Sequence, residues 1–320
     1  MIRQFLSSPE RRRILYASCA AVLLFLVGEL VRPGFASLGS IEAVLVVASF
    51  VGLVAAGQTF VILIGGIDLS VPWVLNAGAI LMVTSSLGSD HRALLGLVLT
   101  LGLGALVGLC NGVGIALLGV PAVVMTLAMN GVMEGLTLGL SGGLTCASCA
   151  SYAPPIVQAA AHAHLLGVPV VLYIWLGVIL LVSFVLSLTS FGRSTYAIGN
   201  NARASFLAGI NVKATTVVLY MLSGLFAALA GIMLVGFGGQ ASLGMGDPYL
   251  FQSIAAVVIG GVYILGGRGH YLGTVAGSIS LVALISVLMA LNMPEYGRSI
   301  IYGVIILLLL LLYGREAGES

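Results

Sequence analysis

Residues 41–64 read IEAVLVVASFVGLVAAGQTFVILI, an apolar run that contains one charged side chain, Glu42. A helix of this length would cross the ~30 Å hydrocarbon core of a bilayer, because each residue adds about 1.5 Å. The whole chain has the same character: 60% of its 320 residues are apolar and 7% are charged, against about 25% charged residues in an average soluble domain. A globular domain of this size exposes too much surface to water for such a composition. The composition therefore excludes a soluble enzyme, a nucleic-acid-binding protein and a disordered chain, and it predicts a polytopic membrane protein.

The apolar runs predict an all-α fold, a membrane bundle of about ten transmembrane helices with glycine-broken segments. A transmembrane β-barrel would alternate in hydrophobicity over about ten residues, whereas residues 300–312 form a continuous apolar run. The 44 glycines favour closely packed helices, since small residues let membrane helices approach each other. The spans are predicted at residues 14–31, 41–64, 72–88, 93–117, 121–140, 167–189, 215–237, 250–266, 271–291 and 299–313.

The distribution of Lys and Arg predicts that both termini face the cytoplasm. Residues 14–31 are longer than the apolar core of about 7–15 residues in a cleaved signal peptide, so we expect a retained first helix. With residues 1–13 inside, nine Lys and Arg residues fall on the inner side and three on the outer side, as the positive-inside rule requires. The predicted units are a cytoplasmic tail (1–13), a transmembrane domain (14–314) and a second tail (315–320).

Two long polar connections interrupt the spans. Residues 141–166 fall outside and contain Cys146 and Cys149, for which a disulfide and two free thiols are both open. Residues 191–214 fall inside, and positions 201–208 are predicted to form about two turns of helix, ended by Gly209 as the residue after the cap. This segment has the shape of a docking element; an ordinary solvated loop is the alternative.

Few residues could carry chemistry inside the membrane. We find no catalytic pair or nucleophile motif, and no ligand set for a metal. Lys213 is the only lysine, so the chain has no Walker A loop, and ATP hydrolysis would need a separate polypeptide. An ion-coupled secondary transporter is the alternative, and Glu134 is its best candidate for the buried coupling carboxylate.

The segment at residues 57–71, GQTFVILIGGIDLSV, predicts a broken helix. Gly65, Gly66 and Asp68 interrupt an apolar stretch, and Asp68 or Ser70 is expected to cap the helix that follows. We expect these four residues to be structural.

Three further segments follow in order: Asn111-Gly112 with PAVVMTL at 121–127, AIGNNARASFLAGI at 197–210, and AAVVIGG at 255–261 with glycines at 266, 267, 269 and 273. Together with residues 57–71, they resemble the membrane permease of bacterial ribose-type sugar ABC importers. The chain departs from the family pattern at four positions, where it has Pro72, Glu134, Arg203 and Tyr263.

The resemblance implies an inner-membrane permease, which is not itself an enzyme, for a ribose-like monosaccharide. Two permease copies would form the path, an extracytoplasmic sugar-binding protein would deliver the sugar, and a separate ABC ATPase would hold the ATP and Mg, leaving no cofactor in this chain. No nucleic acid is expected as a partner. Which sugar is carried, and whether the two copies are identical, stay open.

The same resemblance implies two sets of functional residues. The coupling residues, at which the ATPase would dock, are Gly199, Asn201, Arg203, Ala204, Leu207, Gly209 and Ile210. The substrate path has six candidates whose polar side chains suit a neutral sugar; for each, a helix–helix hydrogen bond is the alternative. They are Gln58, Thr59, Asn76, Asn111, Thr126 and Asn130.

Overall fold

The computed structural model describes residues 9–142, 152–301, 303–304 and 307. This part of the chain is a helical bundle with one short β-hairpin. The elements in chain order are α1 (Pro9–Val31), α2 (Leu38–Leu63), α3 (Val71–Ser86), α4 (Asp90–Ala116), α5 (Ala122–Ser141), α6 (Pro155–His162), β1 (His164–Leu165), β2 (Val168–Pro169), α7 (Val170–Leu188), α8 (Ser190–Asn200), α9 (Ala202–Leu207), α10 (Val212–Gly238), α11 (Asp247–Ile259) and α12 (Tyr271–Ala290).

Within the described ranges, seven helices are long and apolar enough to cross a membrane: α1, α2, α4, α5, α7, α10 and α12. Two predicted spans, 72–88 and 250–266, correspond to the shorter apolar helices α3 and α11, of 16 and 13 residues. Most of the last predicted span, 299–313, lies outside the described residues. The all-α membrane bundle is therefore confirmed, and the prediction of about ten helices is approximate.

Helix α11 ends at Ile259, well before the predicted boundary at residue 266. The chain after it is rich in glycine, which favours helix least among residues other than proline. It bonds elsewhere instead: the Tyr263 N–H donates to the Arg268 carbonyl at 2.9 Å, and the Gly267 N–H donates to the Leu63 carbonyl at 2.8 Å. A local turn and one long-range bond therefore replace the helical hydrogen bonds.

The centre of the bundle is formed by α2, α10 and α12, which carry long stretches of buried residues. Helix α10 contacts α2, α3 and α4 along its length. By contrast, α1, α5 and α7 lie at the periphery and expose many large apolar side chains, which suits helices that face lipid. A helix that is apolar on all sides is stable in one of two places, a protein core or a membrane.

Helices α4 and α10 touch through their backbones. Gly104, Gly108 and Gly112 recur every four residues and therefore share one face of α4. A Cβ atom at Gly104 would overlap the carbonyl oxygen of Gly224, and one at Gly108 would overlap that of Tyr220. Small residues allow this close approach, which increases dispersion contacts between membrane helices.

We predict that Gly108→Ala destabilises the protein by about 1–3 kcal/mol, the usual cost of overpacking, because backbone atoms cannot move aside as a side chain can. Gly102→Ala on the same helix is the matched control, since nothing lies within 4 Å of its Cβ position. Thermal unfolding in mild detergent, followed by circular dichroism, should give a lower midpoint for Gly108→Ala alone. Equal midpoints would contradict the packing argument.

The two long connections lie at opposite ends of the bundle. Where α2 begins, His164 Nε2 pairs with Glu42 Oε1 at 2.9 Å, and His162 Nε2 lies 2.9 Å from the Phe237 carbonyl oxygen near the end of α10. Where α2 ends, residues of the connection 191–214 pack on Leu63. The bundle therefore separates these two connections by the length of α2.

The connection at residues 141–166, which the sequence predicts as a polar loop, contains regular secondary structure. Its described part contains α6, with Pro155 as the first helical residue, a position that suits proline because its missing N–H needs no partner there. The N–H of Ile156 donates to Asp90 Oδ1 at 2.9 Å, which ties α6 to the start of α4. Cys146 and Cys149 lie outside the described residues.

Candidate functional site

The chain between α2 and α3 folds around Asp68, whose side chain is completely buried. Helix α2 ends at Leu63, and α3 begins at Val71 with Pro72 in its first turn. Asp68 Oδ1 accepts a hydrogen bond from the Ser70 N–H at 3.0 Å and another from the Ser70 hydroxyl at 2.6 Å. Aspartate commonly closes tight turns in this way.

The prediction that Asp68 or Ser70 caps α3 is confirmed for the position of Ser70 and wrong for its side chain. Ser70 occupies the N-cap position, but its side chain forms no capping hydrogen bond. Its hydroxyl donates to Asp68 and lies 2.9 Å from Asn111 Nδ2, which donates to it. Both partners draw the hydroxyl away from the first-turn amides of α3.

Gln58 holds the backbone of Asp68 in place. Its Nε2 donates to the Asp68 carbonyl at 2.6 Å, and its Oε1 accepts from the Asp68 N–H at 3.3 Å. Asp68 belongs to neither helix, and its backbone groups have no water to bond in a hydrocarbon environment. One side-chain amide therefore replaces the helical partners that the break removes.

Two further substrate-path candidates bond to neighbouring segments, as Gln58 and Asn111 do. The Thr59 and Thr274 hydroxyls lie 2.9 Å apart, between α2 and α12. The Thr126 hydroxyl lies 2.9 Å from the Ala122 carbonyl and 3.3 Å from the Ile67 carbonyl. These contacts match the alternative that the sequence left open, hydrogen bonds between packed segments.

The remaining two candidates have hydrogen-bonding groups without a partner among the described residues, as does Asn111 at its Oδ1. Asn76 on α3 is completely buried, and neither atom of its amide has a partner among the described residues. The Oδ1 of Asn130 on α5 is likewise buried without a partner in the described part of the chain. A buried polar atom without a partner costs about 1–3 kcal/mol, so these two asparagines do not stabilise the bundle as Gln58 does.

Two residues that sequence reasoning missed face the α2–α3 break from α10. The hydroxyl of the buried Tyr220 packs against Gly66, and Ser223 packs against Gly57. Both hydroxyls are buried close to the Asp68 carboxyl group. Their spacing of three residues places both on one face of α10, and this pair of polar residues in an apolar helix is the signal that could have found them.

The predicted short helix at residues 201–208 is confirmed as α9. The side chain of Asn201 caps it by accepting from the Ala204 N–H at 2.9 Å. Gly209 adopts a φ of +85°, and its N–H donates to the Phe206 carbonyl at 3.0 Å. This is the left-handed C-terminal geometry that favours glycine.

Helix α9 presents apolar side chains at the surface of the bundle. Phe206 is 69% exposed and Leu207 is 77% exposed, while Arg203 adds a positive charge beside them. Ser205 is the buried residue of this helix. Exposed apolar groups rimmed by polar ones are typical of protein interaction sites.

Three of the four sequence segments meet at one point in space, which we call the glycine junction: Leu63–Gly66, Gly199–Asn200 and Gly266–Gly269. A Cβ atom at Gly199 would overlap the Leu63 carbonyl oxygen, and the Gly267 N–H donates to that same oxygen. The junction connects the end of α2 directly to the segment that carries α9.

A cavity of about 670 Å³ lies beside the N-terminal end of α11, within the usual size of a small-molecule site. Its lining includes Asp247, Gln252, Glu295 and Arg298 together with Tyr249. None of these was a predicted site residue. They come from two distant stretches of the sequence, so no local pattern could have grouped them.

Glu134, the candidate coupling carboxylate, is partly exposed on α5. Among the described residues it forms no hydrogen bond or ion pair. Ionisable groups that serve a transport path are usually paired and face the bundle interior. The geometry gives Glu134 neither property.

The comparisons with known proteins all identify permease components of transport systems. The family model described as "Branched-chain amino acid transport system / permease component" matches residues 40–310. The chain is 34% identical to the ribose import permease protein RbsC of Escherichia coli (strain K12), over 93% of this chain and 92% of that protein. It is 32% identical to RbsC of Haemophilus influenzae, over 91% and 90%.

The chain is also 32% identical to the autoinducer 2 import system permease protein LsrC of Escherichia coli (strain K12 / DH10B), over 96% of this chain and 88% of that protein. No solved structure matches the chain. The family model covers most of the chain, and these relatives are import permeases, so the ion-coupled alternative is not favoured. The chain belongs to this family of transport-system permease components and is a membrane permease subunit of the ribose-type ABC importers.

Proposed function

We propose that this chain carries a ribose-like monosaccharide across the bacterial inner membrane and takes its driving force from a separate ATPase that docks on α9. The exposed apolar surface of α9 is the observation that carries this proposal. The relatives named above import ribose and autoinducer 2, both small molecules. The choice of sugar would be made largely by the binding protein.

The ATPase would bind the surface formed by Arg203, Phe206 and Leu207. Six residues are too few to form a stable isolated helix, so α9 depends on its caps at Asn201 and Gly209. A helix fixed at both ends is a rigid surface, and rigidity reduces the entropy lost on binding. Gly199, Ala204 and Ile210 would support this surface.

The orientation follows from the two ends of the bundle. With α9 in the cytoplasm, the end with α6 and the β-hairpin faces outward, where an extracytoplasmic sugar-binding protein would dock. The excess of Lys and Arg on the α9 side supports this orientation. A second permease copy, identical or different, would complete the path.

Asn76 and Asn130 are the best candidates for contact with the sugar. Both retain buried hydrogen-bonding groups without partners among the described residues, and a neutral sugar is recognised by hydrogen bonds without a buried counter-charge. The bonds already formed by Gln58, Thr59 and Thr126 make a structural role the better proposal for those three residues. Asn111 bonds Ser70 through its Nδ2, while its buried Oδ1 has no partner among the described residues.

The direct test is affinity purification from the native host's membranes in mild detergent, with mass spectrometry of the co-purifying proteins. We expect an ABC ATPase, together with a binding protein when the complex is stabilised by nucleotide. Absence of any ATPase across several detergents would contradict the proposal.

We predict that Leu207→Glu lowers the recovery of the ATPase at least tenfold. Burial of a leucine side chain contributes about 1.5–3 kcal/mol, and 1.4 kcal/mol corresponds to a factor of ten in affinity. Leu118→Glu is the matched control, because Leu118 is 76% exposed and Leu207 is 77% exposed, and both fall on the predicted inner side. Equal recovery from both variants would refute docking at α9.

We predict opposite effects for the same change at two buried amides. Gln58→Leu should lower the thermal midpoint in detergent, because the two bonded backbone groups of Asp68 lose their partners, at about 1–3 kcal/mol each. Asn76→Leu should leave stability unchanged or raise it, yet abolish sugar uptake in proteoliposomes. Wild-type uptake by Asn76→Leu would remove Asn76 from the path.

We predict that Glu134→Gln keeps most ATP-driven uptake. An ion-coupled transporter would lose its coupling carboxylate by this change, whereas an ATP-driven permease has no need of the charge. Uptake by energised membrane vesicles and by ATP-loaded proteoliposomes separates the two mechanisms. If uptake followed the ion gradient without responding to ATP, and Glu134→Gln abolished that uptake, the ion-coupled transporter would be favoured.

A further inference from the structure

Helix α8 is attached to the glycine-rich loop after α11 by two side chains. The Tyr196 hydroxyl donates to the Gly269 carbonyl at 2.8 Å. Asn200 Nδ2 donates to the Gly267 carbonyl at 3.3 Å, and also to the Tyr196 carbonyl within its own helix at 2.8 Å. These two residues stand one helical turn apart, so they form a single row of bonds along one side of α8.

The loop is attached in turn to the end of α2. The Gly267 N–H donates to the Leu63 carbonyl at 2.8 Å. At Gly266, a Cβ atom would lie 2.8 Å from the Gly65 nitrogen and 3.1 Å from the Gly199 carbonyl oxygen. At Gly266 the three segments therefore pack backbone against backbone. Such packing resists compression, so a displacement of one segment has to move the others.

The end of α2 leads into the break that holds Asp68. The segment between them, residues 64–67, is short, and Asp68 is held by Gln58 and linked through Ser70 to Asn111 on α4. A movement of the glycine junction consequently reaches α3 and α4 through hydrogen bonds that are all formed inside the bundle.

At its other end, α8 leads directly into α9. Asn201 is both the C-cap of α8 and the N-cap of α9, so the two helices share one residue and no flexible linker separates them. A force applied to α9 acts on α8, and Tyr196 and Asn200 are the side chains that fasten α8 to the loop.

We propose that Tyr196 and Asn200 are positioning residues for energy coupling. They transmit the movement of the ATPase-bound α9 through the glycine junction to the α2–α3 break. This inference rests on the proposed docking of the ATPase at α9. Neither residue is among the coupling residues that the family resemblance implies, and the proposal gives the glycine junction a role beyond packing.

The test uses the permease purified with its ATPase and compares hydrogen–deuterium exchange of residues 64–70 before and after ATP with vanadate, so no sugar needs to be known. Tyr196→Phe and Asn200→Leu are the variants. Tyr173→Phe is the matched control, because the Tyr173 hydroxyl also donates to a backbone carbonyl, that of Leu165 at 3.1 Å, at the far end of the bundle.

We expect the wild type and Tyr173→Phe to show a clear nucleotide-dependent change of exchange at 64–70. In Tyr196→Phe and Asn200→Leu that change should fall by roughly fivefold, the effect of one lost hydrogen bond on an equilibrium, while the amount of bound ATPase stays the same. A merely structural role would alter basal exchange or stability and would leave the response to nucleotide intact.

Three results would overturn the inference: no nucleotide-dependent change in the wild type, an undiminished change in Tyr196→Phe, or loss of the ATPase from that conservative variant, which would make Tyr196 part of the docking surface. Failure of the docking proposal is recognised separately, by full ATPase recovery from Leu207→Glu.

Discussion

A hydrocarbon environment leaves a backbone N–H or C=O group with no partner except the protein itself, and the break between α2 and α3 is organised by this constraint. Residues 64–70 leave the helical hydrogen-bond pattern in the interior of the bundle. The amide of Gln58 bonds both backbone groups of Asp68, and the Asp68 carboxyl group closes the turn at Ser70. Much of the polar chemistry in this interior therefore stabilises an interruption of the main chain. That explains why a polar residue in this membrane protein is not by itself evidence for contact with substrate.

Close backbone contact is the second feature on which the architecture depends. The α4–α10 interface and the glycine junction both place backbone against backbone, at positions where a Cβ atom would overlap a carbonyl group. At the junction this packing joins segments from residues 63–66, 199–200 and 266–269, which are far apart in the chain. The surface helix α9 is thus continuous with the interior of the bundle, and a partner bound to α9 acts on a rigid assembly.

Local signals were sufficient for the features that depend on neighbouring residues alone. Apolar runs predicted the long helices, and the pair Asn201 and Gly209 predicted the start and end of α9. The boundary of α11 and the helix α6 were missed. Residues 260–269 form local turn hydrogen bonds and one bond from Gly267 to the distant Leu63 instead of continuing the helix, and α6 depends on its contact with Asp90. Among the site residues, the spacing of Tyr220 and Ser223 pairs them on α10, but only the packed helices place that pair at the α2–α3 break. The lining of the cavity beside α11 likewise could be grouped only after the helices were packed.

The sequence by itself determined that this protein spans a membrane as an all-α bundle, that it lacks a phosphate-binding loop of its own, and that its motifs follow the order of one permease family. Composition and local pattern suffice for these conclusions, since hydrophobicity and helix capping act over a few residues. The tertiary structure alone decided which buried amides are bonded and which are free, distinguishing Gln58 from Asn76. It also brought three glycine segments into one junction. Hydrogen-bond partners and backbone contacts join residues that are distant in the chain, so only the folded arrangement of the helices specifies them.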